Sequence, residues 1–186
     1  TFDMAPASTI TATAAVMDTL TVTDSGVAGT LAVTALEDTL GANLHTGLAA
    51  ATKTAALDTA GGDLALSTAN LTNVTVNISG TNQLTVDAAS TVTGTTFDMA
   101  AASTITGTAA ALSAVTVTDS GLAGTVAVTA LESSLSADLG NITASTYTVA
   151  LSTAGGDLAL STADLTNATV NISGTNQLTV DAASTV

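Results

Sequence analysis

The chain repeats itself, and that constrains the fold more than any other feature. TFDMAPASTITATAA (Thr1 to Ala15) returns as TFDMAAASTITGTAA (Thr96 to Ala110), displaced by 95 residues. Residues 1–44 and 96–139 share 31 identities, and residues 59–92 match 153–186 at 32 of 34 positions, now displaced by 94. One deletion therefore falls between 45–58 and 140–152, where the copies read HTGLAAATKTAALD and GNITASTYTVALS. Near-identical units must fold as equivalent structures, either stacked on their neighbours or each closed on itself. The units are 1–95 and 96–186. Val186 matches Val92, three residues before the second copy begins, so the stretch is expected to be a window on a longer array.

Inside a unit the apolar residues alternate. Val74, Val76 and Ile78 face one way while Asn73, Thr75 and Asn77 face the other. Leu84 with Val86, Phe97 with Met99, Leu20 with Val22, Leu31 with Val33 and Leu64 with Leu66 do the same. Strand centres recur about every 10 or 11 residues, separated by Asp24-Ser25-Gly26, Gly61-Gly62-Asp63, Ser79-Gly80-Thr81-Asn82 and Gly94. Thr34-x-x-Glu37 and Thr129-x-x-Glu132 have capping-box spacing. Leu36, Leu40 and Leu44, and likewise Leu131, Leu135 and Leu139, follow at intervals of four, and Gly140 sits where a helix would stop. This predicts one short helix per unit, over 35–44 and 130–139. The fold class expected is mainly β: a repeat protein forming a β-solenoid-like stack with one short helix per unit. The alternative is tandem immunoglobulin-like β-sandwiches, whose strands are spaced similarly. Three aromatics, Phe2, Phe97 and Tyr147, favour the thin solenoid core; the unit length favours the sandwich.

Composition excludes whole classes of partner. Forty Thr and 38 Ala make up about two-fifths of the chain, and the net charge is −14 with one Lys (Lys53), no Arg and one His (His45). Nucleic acids and anionic membranes are held by Lys and Arg, so neither is expected as a partner. Thr, Ser or Asp interrupts every apolar run, which predicts no membrane-spanning helix, and three aromatics cannot build the girdles of an outer-membrane barrel. Cysteine is absent, so there is no disulfide framework or thiolate metal site. No signal peptide is visible and the first residue is Thr1, so this is not expected to be the gene's start.

Ala60-Gly-Gly-Asp-Leu-Ala-Leu-Ser-Thr-Ala-Asn-Leu-Thr-Asn73, repeated from Ala154 to Asn167, resembles the rungs of filamentous-haemagglutinin-type exoproteins. TVTDSG (Thr21 to Gly26, Thr116 to Gly121) and ITGTAA (Ile105 to Ala110) resemble the β-strand repeats of giant bacterial surface adhesins, and the composition is similar to that of S-layer proteins. The resemblance implies export, adhesion, and lattice or fibre assembly, often with calcium. It carries over no functional residue.

Candidate sites are few. Gly62-Asp63 and Gly156-Asp157 faintly resemble the turns of calcium-binding β-rolls, which makes Asp63 and Asp157 weak calcium candidates. Calcium needs six to eight convergent oxygens and no full motif is present, so solvated turn aspartates are the favoured reading. No cofactor is otherwise expected. Asn70, Asn73, Asn77, Asn141, Asn167 and Asn171 stand in N-x-S/T, which arises by chance in so Thr-rich a chain. Thr11-Ala-Thr13, Thr21-Val-Thr23, Thr104-Ile-Thr106 and Thr116-Val-Thr118 are T-x-T pairs of the kind an ice-binding face would stack. Asp24, Ala35 and Ser67 are expected to break such a ladder, and threonine's β-propensity explains the pairs. His45, Lys53 and Tyr147 fall in the divergent segment and are not repeated, so no repeated active site is expected and no catalytic residue is assigned. The function expected is that of a non-enzymatic, extracellular structural protein forming a cell-surface fibre, filament or S-layer by self-association. The alternative is a spacer in a secreted adhesin, whose glycan or surface ligand is bound by domains outside this stretch.

Overall fold

The computed structural model describes residues 1–36, 43–57, 64–66, 69–100, 102–131, 138–151, 158–160, 163–173 and 176–186. Its strands are β1 (Phe2–Asp3), β2 (Thr9–Ala12), β3 (Val22–Thr23), β4 (Thr30–Leu36), β5 (Thr52–Leu57), β6 (Leu64–Leu66), β7 (Thr75–Ser79) and β8 (Gln83–Val86) in the first unit. The second unit holds β9 (Thr96–Ala100), β10 (Thr104–Gly107), β11 (Thr116–Thr118), β12 (Thr125–Leu131), β13 (Thr146–Leu151), β14 (Leu158–Leu160), β15 (Thr169–Asn171) and β16 (Leu178–Val180). Two single-turn helices, α1 (Ala14–Met17) and α2 (Ala109–Leu112), complete it.

Every ladder among these strands is parallel. Ile105 pairs with Leu84 and with Val126, 21 residues away on either side, and the other paired strands are offset by 20 to 22. The chain is thus a β-solenoid whose turn of about 21 residues lays one strand on each of two faces, which accounts for strand centres every 10 or 11 residues. One face carries the order β11-β9-β7-β5-β4-β2 and the other β15-β13-β12-β10-β8-β6; β1 pairs with β3 and β14 with β16 in shorter sheets. A parallel sheet buried on one side explains the strict alternation, as in β7, where Val76 and Ile78 are buried and Asn77 is exposed.

The sequence unit and the structural turn are incommensurate. From β4 the chain revisits the same face at β5, β7, β9 and β11, four full turns, and half a turn later forms β12, the copy of β4, on the opposite face. A unit of 94 or 95 residues thus spans four and a half turns. Equivalent strands of consecutive units alternate between faces: β2 and β10, β5 and β13, β7 and β15 all lie in opposite sheets. At about 4.8 Å per turn, one unit advances the stack by roughly 22 Å and two units by roughly 43 Å.

The two described helices lie outside the segments that leucine spacing marks. Residues 35–36 and 130–131 continue β4 and β12, and 37–42 and 132–137 lie outside the described residues. The Thr34 hydroxyl, the proposed cap, instead donates to the Ala12 carbonyl of the neighbouring turn at 3.4 Å, and Thr129 donates to Gly107 at 3.2 Å. Among the described residues, each unit's helical turn is the corner after β2 or β10. Thr13 and Thr108 cap these turns, accepting the N–H groups of Val16 and Ala111. Met17 and Leu112 drop from these corners into the core. The second copy has Leu112 for Met17 and Gly107 for Ala12; a Cβ on Gly107 would press on Leu112 and on the Val86 carbonyl, each at 3.0 Å.

Between the units, Gly94 turns the chain with φ +68°, and the space its missing Cβ leaves is filled by the Asn73 side chain. The ladder runs through this boundary unbroken: β7 pairs with β9 over five residues and β8 with β10 over four.

Candidate functional surfaces

The carboxylates of the two repeated motifs turn out to be structural. A parallel offset of 20 to 22 residues sets TFDM beside TVTDSG of the next turn, with Phe2 opposite Val22 and Asp3 opposite Thr23. Asp3 accepts the Thr23 hydroxyl at 2.9 Å, the Ser25 hydroxyl at 2.9 Å and the Ser25 N–H at 3.2 Å. Ser25 and Thr23 together hold its carboxyl below the usual aspartate range. Asp98 repeats the arrangement with Thr118 and Ser120.

The aspartate within TVTDSG reaches one turn further. Asp119 is buried and accepts from the N–H groups of Ala123, Gly124 and Ser145 and from the Ser145 hydroxyl, at 2.8 to 3.3 Å. Burial works against its charge, but the bonds from Ser145, Gly124 and Ala123 outweigh it and its carboxyl titrates below the ordinary range. Asp24 accepts the N–H groups of Gly29 and Ala51. Asp24 and Asp119 thus tie the backbone of their own corner to that of the next turn. Among the described residues no group of three or more His, Cys, Asp or Glu converges to hold a metal. Asp63 and Asp157, the calcium candidates, lie outside the described residues.

The divergent segment becomes interpretable once the turns are aligned. Val22 bridges to Leu48 in the first unit and Val117 to Ile142 in the second, offsets of 26 and 25, which places the deletion at the corner beside His45. Lys53 and Tyr147 then occupy the same inward-facing position, opposite Leu31 and Val126. Lys53 escapes the core by running its ammonium out to the Leu44 carbonyl at 3.2 Å, and partial burial lowers its pKa. Tyr147 stays buried, its hydroxyl without a hydrogen-bond partner among the described residues; burial, then the Asp164 carboxylate, pushes its pKa up. His45, Lys53, Asp24, Val27 and Leu48 border an open cleft of about 590 Å³.

The outward residues form columns that no single stretch of sequence displays. On one face Thr11, Ala32, Thr54, Thr75, Thr96 and Thr116 stand one above another, beside Thr9, Thr30 and Thr52. On the other, Thr85, Thr106, Ala127, Thr148 and Thr169 stack beside Gln83, Thr104, Thr125 and Thr146. Asp24, expected to interrupt such a ladder, sits at a corner; Ala35 lies in β4 beyond these columns, and Ser67 is outside the described residues. Among the N-x-S/T asparagines, Asn73, Asn77, Asn141, Asn167 and Asn171 are exposed, whereas Asn70 accepts the Thr72 N–H and hydroxyl.

Comparison with protein-family models, with curated proteins and with solved structures returns no match. The class defined by the ladders is a β-solenoid repeat protein. That agrees with the resemblance to filamentous exoproteins and is specific to no named adhesin or S-layer family. No helix among the described residues is long and apolar enough to cross a membrane.

Proposed function

We propose that this chain is an extracellular structural protein that builds a cell-surface fibre, filament or S-layer-like array by self-association, without catalysis. The observation that carries this reading is the unbroken ladder through the unit boundary, which makes every turn a template for another of the same kind. Support also comes from the motif carboxylates, which bond neighbouring turns instead of converging on a substrate. Electron microscopy of the purified chain over a concentration series tests the reading. Filaments or sheets that grow with concentration are expected; a rod that stays monomeric throughout would favour the spacer of an adhesin instead.

A second reading is favoured by the threonine columns. Hydroxyl and methyl groups recur about every 4.8 Å across the strands and about 6.6 Å along them, on both faces. Such a two-dimensional array is a surface that ordered water, as in ice, can continue. Thermal hysteresis of the freezing point tests this, and Thr106→Lys with Thr148→Lys on one face together with Thr54→Lys and Thr75→Lys on the other should abolish any that is found; none in the unmodified chain removes the reading.

A further inference from the structure

Two apolar residues stand proud of the surface at equivalent places inside the two units. Val27 and Leu122 are 81% and 82% exposed, at the tips of the corners Asp24–Gly29 and Asp119–Gly124. Each corner has a turn of the chain on both sides. The Gly26 N–H donates to the Met4 carbonyl and the Ala51 N–H to the Asp24 carboxylate; Gly121 donates to the Met99 carbonyl and Ser145 to Asp119. No missing neighbour accounts for the exposure. Both residues also hold a φ of +54°, in the left-handed region, where branched side chains are strained and glycine or asparagine is not. The tips are held in place: Val27 and Leu122 donate to the Asp24 and Asp119 carbonyls, and the Asp119 carboxylate accepts the N–H groups of Ala123 and Gly124. A branched apolar residue gains nothing in this conformation at a tip that faces water, and gains burial at a tip that something covers.

A cover for the Leu122 tip exists on the opposite margin of the same sheet. The strands are parallel, so Asp24–Gly29, which leads into β4, lies at the sheet's entry margin, and Asp119–Gly124, which leaves β11, lies at its exit margin. The entry margin carries the cleft of about 590 Å³, walled by Val22, Leu48, Ala49 and Ala50. His45 and Lys53, the chain's only His and only Lys, border it. At the base of the Leu122 tip the Ser120 hydroxyl donates to the Asp98 carboxylate, so an acidic base faces a basic rim. The cleft belongs to a corner that the second unit does not copy: Ala51 stands where Ser145 closes onto Asp119, and the stretch beside His45 is one residue longer. We infer that the tip Gly121-Leu122-Ala123 of one copy of this chain seats in the cleft of a second copy lying beside it. Tip and cleft are on opposite margins, so each copy offers a tip to one neighbour and a cleft to the other. Such a contact is heterologous and does not close, and rows of solenoids grow side by side. The cleft lies between the turns of β4 and β5, three to four turns from β11, which staggers neighbours by roughly 14–19 Å along the axis.

This lateral contact rests on the self-associating reading above, and its test separates the two. The chain contains no cysteine, so Leu122→Cys and Ala49→Cys, both at exposed positions, can be placed in separate copies and report only on each other. Circular dichroism verifies that both variants fold. Under mild oxidation in buffered saline, an equal mixture should form mixed dimers, resolved by mass, at least ten times as fast as either variant forms dimers with itself. Leu122→Asn suits the backbone at this tip, so it should fold as well as the unmodified chain and weaken association in sedimentation at least tenfold. Mixed dimers no faster than self-dimers, or association that Leu122→Asn leaves unchanged, would overturn the tip-in-cleft contact while the structural reading stands. A chain that never associates would overturn both.

Discussion

Phe2 and Phe97 open the same TFDM motif in the two copies, with the same neighbours in sequence and different neighbours in space. Phe97 is sealed between Val76 and Val117 of the adjoining turns; Phe2 pairs with Val22 on one side and faces solvent on the other. Truncating a buried Phe to Ala removes its transfer free energy and leaves a cavity, about 3–5 kcal/mol in a well-packed core. Gly107 and the Ala-rich corners give this thin core little bulk with which to refill the space, so Phe97→Ala belongs at about 4 kcal/mol. Phe2 loses only the half of its surface that is covered and opens no closed cavity, about 1 kcal/mol. Urea titrations followed by far-UV circular dichroism, at concentrations where sedimentation shows monomer, measure both. Equal losses would refute the reasoning, since the motif would then act locally and stacking would contribute nothing.

Asp119→Ala should cost about 2 kcal/mol by stranding three N–H groups, and clearly more than Asp98→Ala, whose partners are exposed hydroxyls; the same denaturation assay ranks them. Asp3, Asp119 and Asp164 are held below the ordinary aspartate range, so the unfolded chain takes up their protons first. Their stabilisation is present above about pH 4 and is lost as pH falls through the lower folded values; Asp164→Asn, the residue unit one has as Asn70, should flatten that loss in acid melts. Tyr147→Phe should leave the melting temperature unchanged or raise it, because the hydroxyl it removes bonds to none of the described residues, and Lys53→Leu should raise it by removing a half-buried cation. A chain of net charge −14 should assemble faster as sodium or calcium is added; light scattering that rises fastest in low salt with a chelator would contradict this.

Much of the architecture was legible in the residues. The alternation of Val74, Val76 and Ile78 reappears as the inward and outward sides of β7, and the turn signals at Asp24-Ser25-Gly26 and Gly94 as corners of the solenoid. Helix position was not legible, because leucines every four residues satisfy a helix and a bulged strand alike. What decided Leu36 and Leu131 was the ladder, which pairs them with Leu57 and Leu151. The roles of Asp3 and Asp24 depend on partners 20 to 27 residues away, brought close only by parallel stacking. The equivalence of Lys53 and Tyr147 was hidden by the deletion beside His45, and the half-turn phase between units by the absence of any sequence mark for a turn of 21 residues.

The central claim is the parallel register, and one pair of disulfide variants tests it most directly. In the solenoid, Thr85 lies opposite Thr106 in the adjacent turn of the same sheet, while Asn77 lies in the other sheet. A sandwich would join residues 75–79 and 83–86 as an antiparallel hairpin with the three-residue loop Gly80-Thr81-Asn82, setting Asn77 beside Thr85. Thr85→Cys with Thr106→Cys should therefore oxidise to an intramolecular disulfide in the monomer, and Asn77→Cys with Thr85→Cys should keep both thiols free. A bridge in the second pair and none in the first would contradict the fold described here.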